Sequence, residues 1–246
     1  KTIEKNINNI EKILKIFLKT DNKKTSPIFV NNYDWLKELD YIGFLRDIGM
    51  HFTVNRMLTF ESVKMRLERE LPMTFIEFNY MILQGYDFLE LYRRYGTVLQ
   101  MGGSDQWGNI VTGTELIRRK AQGEAFAMTA PLIKKADGTK FGKSEGGNVW
   151  LDPEKTSPYK FYQYWLNTSD EDAANFIKVF TLLPKEEIEA LEKEHAEAPH
   201  RRTLQKALAE DVTRRVHSEE DLQTAIKASN ILFGKSTTED LASLNE

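Results

Sequence analysis

Three stretches of this chain carry polar residues whose types and spacing can do chemistry. The first is NYMILQGYDF, where Tyr80, Gln84 and Asp87 recur at i, i+4 and i+7. With 3.6 residues per helical turn, all three lie on one helix face. Met81, Ile82, Leu83 and Phe88 make the rest of that helix apolar. A polar stripe in such a setting needs partners, because a buried polar group left unsatisfied costs about 1–3 kcal/mol. Either a structural network between helices supplies them, or a small polar ligand does.

The second stretch is LQMGGSDQWGN, residues 99–109. A strand that ends in Gly102-Gly103 brings backbone close to whatever sits above the sheet, and the following helix points its N-terminus into the same space. Ser104 or Asp105 can simply cap that helix. The crowding of Gln100, Asp105, Gln106 and Asn109 around one turn favours a site that reads a ribose or an amino-acid head group. The third is KKADGTKFGKSEGG, residues 134–147, with four lysines against Asp137 and Glu145. Lysine is a flexible point charge suited to polyphosphate. A solvated hairpin tip is the other reading of such a loop, and the sequence contains no G-x-x-x-x-G-K-[ST] phosphate loop.

The elements that must position these residues follow from periodicity. Ile3, Ile7, Ile10, Leu14 and Phe17 predict an amphipathic helix over residues 3–18. A short strand is expected at Ile28–Val30, then helices over 36–70 broken near Gly49–Thr53. One long helix spans Thr74–Tyr95. A strand at Thr97–Met101, a helix over 106–121 and a strand at Ala125–Ile133 give the αβ alternation of a parallel sheet. Asp137-Gly138 marks a turn, and from Pro158 the chain reads as helical, with starts near Ser169, Pro184 and Ser218. The boundary expected near 157 divides a sheet-containing domain, 1–157, from an all-α domain, 158–246.

Composition narrows the function classes. The chain has 246 residues, no cysteine and a formal net charge of −3. Disulfides, thiolate metal sites and a cysteine nucleophile are excluded, and nucleic acid would have to be met by a local basic patch. The absence of cysteine fits a cytoplasmic setting. The four histidines show no metal-ligand spacing, so no protein-bound metal or organic cofactor is expected.

In order and spacing, the three stretches resemble bacterial tyrosyl-tRNA synthetases, members of the class I aminoacyl-tRNA synthetases. NNYDW (31–35), FLRDIG (44–49), VWLDPEKTSPYKFYQYW (149–165) and VTRRVH (212–217) extend the resemblance over nearly the whole chain. It implies the second half of a Rossmann-type catalytic domain followed by a helical domain that contacts tRNA. It implies activation of L-tyrosine by ATP, brought with Mg2+ as a substrate, and then transfer to tRNA(Tyr). On the matching positions, Tyr80 and Gln84 hold the substrate ammonium group, Asp87 accepts from the phenol, and Asn32 belongs to the same pocket. Gly103, Asp105 and Gln106 border the adenylate, with Gln106 near the reacting carboxylate. KFGKS (140–144) stands as the family's lysine signature, so that Lys140 and Lys143, with Ser144, meet the pyrophosphate.

The resemblance also implies a homodimer through the region Phe44–Phe75, with Phe52, Val54, Met57 and Phe75 as candidate contacts. Arg201, Arg202, Arg214 and Arg215 are its candidate tRNA contacts; solvated helix faces are the other reading of these arginines. No H-x-G-H occurs. About a hundred residues of a preceding half-domain are therefore expected upstream, and a further RNA-binding tail after Glu246. This polypeptide alone is expected to be inactive and, with half a parallel sheet, to self-associate. A tryptophan-specific relative is disfavoured, since indole has no hydroxyl for Asp87 to read. A non-catalytic RNA-binding or assembly module derived from such an enzyme is the rival from another class.

Overall fold

The computed structural model describes residues 2–18, 24–139, 141–144 and 147–234. In chain order its elements are α1 (Thr2–Phe17), α2 (Tyr33–Leu36), α3 (Tyr41–Asp47), α4 (Val54–Met57), α5 (Glu61–Glu68), α6 (Phe75–Tyr95), β1 (Leu99–Gly103), α7 (Trp107–Ala121) and β2 (Phe126–Ala130). There follow β3 (Lys143–Ser144), β4 (Gly147–Asn148), α8 (Pro158–Leu166), α9 (Asp170–Phe180), α10 (Lys185–Glu197), α11 (Thr203–Val216) and α12 (Glu219–Phe233). They form two compact units, one of Val30–Ile133 and one of Lys1–Phe29 with Lys134–Glu246. No helix among the described residues is long and apolar enough to cross a membrane.

The unit Val30–Ile133 is built on α6. A capping box starts this helix: the Thr74 amide donates to Glu77 Oε2 at 2.8 Å, and the Glu77 amide donates to Thr74 Oγ1 at 3.3 Å. Gly96 ends it in the left-handed region, φ 66°. Helix α7 lies close along α6 because glycines leave room. A Cβ on Gly85 would sit 2.9 Å from Thr112 Cγ2, and one on Gly113 would sit 2.8 Å from Phe88 Cβ. Phe88, Leu89, Leu116 and Ile117 are fully buried along this crossing, and Ile48, Met57 and Val63 pack against it from the short helices. Strands β1 and β2 pair in parallel, Leu99 opposite Phe126 through Gly103 opposite Ala130, with α7 as the crossover. One face of this sheet is apolar and open: Leu99, Met101, Phe126 and Met128 are 42–62% exposed.

The expected strands shift for identifiable reasons. Strand β1 begins two residues later than predicted, since the Thr97 amide is taken by the end of α6, donating to the Leu91 carbonyl at 3.4 Å. It runs on through both glycines, which pair with Thr129 and Ala130. Strand β2 is trimmed at its far end by Pro131, which has no amide to donate. Ile28–Val30 is not a strand; the segment finds no ladder partner among the described residues, and Ile28 is 69% exposed.

In the other unit, Ser157, Ser169 and Ser218 each cap a helix by accepting from the amide three residues on, at 3.3, 3.2 and 3.0 Å. Phe161, Trp165, Phe176, Leu208 and Leu222 form the core of α8, α9, α11 and α12. Segment 134–157 packs with these helices: the Ala136 amide donates to Asp172 Oδ1 at 2.7 Å, and Val149 and Leu151 lie on the core. One boundary of the compact units falls at 133/134. Helix α1 carries its expected apolar stripe with no residue buried.

An acid-sensitive ion cluster sits on α7. Arg118 first, and then Arg119, hold the Glu115 carboxyl down to about 2. Its contribution is therefore present above its ordinary value of 4.5 and is lost as pH falls toward 2. Glu115→Gln is expected to lower unfolding stability at neutral pH by about 1–2 kcal/mol after allowance for solvent screening, and by much less near pH 2. Urea melts at the two pH values check this.

Candidate functional site

The residue that organises the polar face of α6 is Asp87. Its two carboxylate oxygens are each met by a donor from the turn that opens α2: Trp35 Nε1 donates to Oδ1 at 2.7 Å and Asn32 Nδ2 to Oδ2 at 3.0 Å. The turn is itself fixed, since the Asn31 side chain accepts from the Tyr33 amide at 3.0 Å and the Asn32 carbonyl accepts from the Leu36 amide at 3.0 Å. Trp35 is buried at 4% exposure, and the Arg94 guanidinium lies over its ring at 5.5 Å. Arg94 in turn donates to Glu90 Oε2 at 2.8 Å, and Glu90 is buried. A line of contacts along α6, from Glu90 through Arg94 and Trp35, thus holds the indole N–H against Asp87.

Each carboxylate oxygen has two acceptor positions, so a carboxylate with one donor on each oxygen retains capacity for a further hydroxyl. Tyr80 and Gln84 lie two turns and one turn away on the same face, Tyr80 exposed at 57% and Gln84 half-buried. Met81, Ile82, Gly85 and Phe88 occupy the buried side of the helix. Sequence reasoning placed Asn32, Tyr80, Gln84 and Asp87 together, and the structure joins Asn32 to Asp87 directly. It gave no role to Trp35; the available signal was an indole three residues after Asn32, one helical turn away.

The Gly-Gly turn belongs to the same unit. A Cβ on Gly103 would meet Asp105 Oδ1 at 2.6 Å and Leu132 Cδ2 at 2.9 Å, so both side chains would have to shift to admit one. Gln106 Nε2 donates to Asp105 Oδ2 at 2.9 Å, and Asn109 Nδ2 donates to Gln106 Oε1 at 3.1 Å. This chain of side chains fixes the orientation of Gln106 at the start of α7. Neither Ser104 nor Asp105 caps α7: its N-cap is Gln106, with no side-chain cap bond. On β1, Gln100 Oε1 is buried without a hydrogen-bond partner.

The lysine loop lies in the other unit. The Thr139 amide and hydroxyl donate to Asp137 Oδ1 at 2.8 and 2.6 Å, and Gly138 turns in the left-handed region. Those two bonds, hydroxyl first, hold the Asp137 carboxyl below its ordinary value. Lys143 and Ser144 form β3 and pair antiparallel with β4; Lys140 lies outside the described residues.

The arginines separate by role. Arg202 Nη2 donates to the Leu166 and Thr168 carbonyls at 2.7 and 3.1 Å, and Arg215 Nη1 donates to the Phe180 carbonyl at 3.0 Å while Nη2 meets Asp211. Both tie helices together. Arg214 pairs with Glu219 at 2.5 Å on the surface, and Arg201 is exposed. In the region 44–75, Met57 is buried and Phe52 half-buried against the core, whereas Val54 and Phe75 are 59% and 66% exposed.

A parallel β-α-β unit with a Gly-Gly turn thus lies in the same compact unit as a helix carrying a buttressed carboxylate. The family model for tRNA synthetases class I (W and Y) matches residues 1–234, and the chain belongs to that family. It is 63% identical over its whole length to a tyrosine–tRNA ligase of Cytophaga hutchinsonii, covering 57% of that protein. It is 57% identical to the tyrosine–tRNA ligase of Flavobacterium johnsoniae, covering 58% of it. Among solved structures, C-terminally truncated mitochondrial tyrosyl-tRNA synthetases from Aspergillus nidulans and Coccidioides posadasii match 92% and 90% of the chain, with TM-scores of 0.76 and 0.72 at 26% and 28% identity. The chain covers 66% and 65% of those two structures.

Proposed function

We propose that this chain is part of a tyrosine–tRNA ligase, forming tyrosyl-adenylate from L-tyrosine and ATP and passing the tyrosyl group to tRNA(Tyr). The observation that carries the reading is Asp87, whose carboxylate is oriented by Trp35 and Asn32 and retains acceptor capacity on the polar face of α6. A phenol hydroxyl suits that position; Tyr80 and Gln84, on the same face, suit an ammonium group. Gly103 lets the adenylate approach the backbone, Asp105 faces its ribose and Gln106 lies near the reacting carboxylate. Lys140 and Lys143, with Ser144, stabilise charge on the departing pyrophosphate. Mg2+ enters with ATP as part of the substrate.

In this reading residues 1–157 supply half of a Rossmann-type catalytic domain, and 158–246 form the helical tRNA-side domain. Arg201 and Arg214 are the candidates whose charge faces solvent; Arg202 and Arg215 hold the domain's own helices. Exposed Val54 and Phe75 suit a homodimer contact, while Phe52 and Met57 serve the core.

The test is tyrosine-dependent exchange of pyrophosphate into ATP by the full-length protein. Exchange with tyrosine and none with tryptophan is expected; the reverse would overturn the reading. Lys143→Ala is expected to slow exchange by about 10²–10³-fold, the scale of removing one preorganised charge-stabilising group, with the KM for tyrosine nearly unchanged.

A further inference from the structure

The lysine loop carries one aromatic residue, Phe141, between Lys140 and Gly142. Phe141 is half-buried among four aromatic side chains. Its ring stacks on Phe180 with centroids 4.7 Å apart and an interplanar angle of 20°. It meets Phe176 edge-on at 5.0 Å, Trp165 at 5.7 Å and Tyr164 at 6.3 Å. The next residue is pinned through its backbone: the Gly142 amide donates to the Tyr164 hydroxyl at 3.4 Å, and the Gly142 carbonyl accepts from the Val149 amide at 3.2 Å. Gly142 has φ 84°, in the left-handed region, so the chain turns sharply away from the anchor into β3.

The packing around this anchor is loose. A cavity of ≈ 360 Å³ adjoins it, lined by Phe17, Leu151, Trp165 and Phe180 among others. Removing the Phe141 ring therefore enlarges an existing void on the edge of the core, whereas Phe161, Leu208 and Leu222 at its centre are fully buried. Lys140 is its sequence neighbour and Lys143 follows two residues later, within about 7 Å of chain.

We propose that Phe141 is a positioning residue for the ATP-dependent step: an aromatic anchor that fixes the point from which the loop lysines reach the leaving pyrophosphate. The proposal rests on the synthetase reading for its chemistry. Misplacing a charge-bearing group by about 1 Å is enough to cost about 10²-fold in rate.

The experiment uses the full-length protein. Phe141→Ala is expected to slow pyrophosphate exchange by about 10²-fold, expressed in ATP-dependent parameters, with the KM for tyrosine unchanged, although the melting temperature falls with the lost ring packing. Phe141→Met, which keeps the bulk, is expected to recover most of the loss. Amide exchange at Gly142 and Val149 should accelerate in Phe141→Ala alone. Unchanged ATP parameters would overturn the proposal, as would a parallel fall in ATP parameters, tyrosine parameters and melting temperature, which marks a packing role. If the parent shows no tyrosine-dependent exchange, the functional reading fails. Amide protection then decides the anchor by itself: retained protection at Gly142 in Phe141→Ala overturns it.

Discussion

On the proposed tyrosine-activating reading, Asp87→Asn is expected to remove much of the preference for tyrosine over phenylalanine. The carboxylate offers acceptors on both oxygens, and two donors already fix its plane, Trp35 Nε1 on one side and Asn32 Nδ2 on the other. Asparagine has one acceptor oxygen and an NH2 group, so with its oxygen kept on Trp35 Nε1 its NH2 meets Asn32, whose amide must turn over to accept it. The phenol then faces a neutral acceptor in a disturbed plane. A hydrogen bond to a charged group contributes about 1.5–3 kcal/mol, so exchange with tyrosine should fall by about 10²-fold. Phenylalanine, which never made that bond, should be affected little. Sites built to read a hydroxyl discriminate by about 10⁴–10⁵, a figure known from tyrosine-activating enzymes as a class; the variant should forfeit a large part of it. Exchange rates with both amino acids measure the ratio. An unchanged ratio would make Asp87 a structural partner of the α2 turn and nothing more. Trp35→Phe removes only the orienting donor and should cost less, about three- to tenfold, in the same direction.

Much of this site is legible in sequence because its order is local. Tyr80, Gln84 and Asp87 are related by the helical repeat alone, and Thr74 with Glu77 announces where the helix begins. Gly102-Gly103 likewise signals a close approach. The partner of Asp87 is another matter. Residues 35 and 87 are brought together by packing of a four-residue helical turn on α6, and no periodicity encodes that contact. The same limit explains Arg202 and Arg215. In sequence they belong to a basic cluster, but in the fold each is turned toward backbone carbonyls 34–36 residues away. The strand expected at Ile28–Val30 fails for a related reason: a strand is a property of a pair, and β-branched residues alone do not provide the neighbour. Segment 134–157 reads as a tail of the sheet domain by its turns, yet Ala136 and Phe141 dock on α8 and α9, which only the tertiary structure reveals.

Helix propensity and packing make opposite predictions at Gly113, and the geometry decides between them. In the interior of α7, replacing glycine with alanine should by propensity alone stabilise the helix by about 1 kcal/mol. The new methyl, however, would stand 2.8 Å from both Cβ and Cδ1 of Phe88, a residue with no exposed surface. Phe88 cannot swing aside into solvent, and its Cβ is fixed to the α6 backbone, so relief requires α6 and α7 to move apart. Overpacking of this kind costs about 1–3 kcal/mol, and more when backbone must shift. Gly113→Ala is therefore expected to lower unfolding stability by about 1–2 kcal/mol net, and Gly113→Val by more, since valine adds both bulk and a β-branched penalty. The loss has a functional counterpart. Phe88 is the neighbour of Asp87, so moving α6 to admit the methyl also moves the carboxylate relative to Trp35. Denaturant melts and pyrophosphate exchange on the same variants should decline together, while an alanine at exposed Glu124, away from the crossing, should change neither. A Gly113→Ala protein more stable than its parent would mean that the helix pair relaxes freely, and that Asp87 is held by the α2 turn rather than by the tight crossing of α6 and α7.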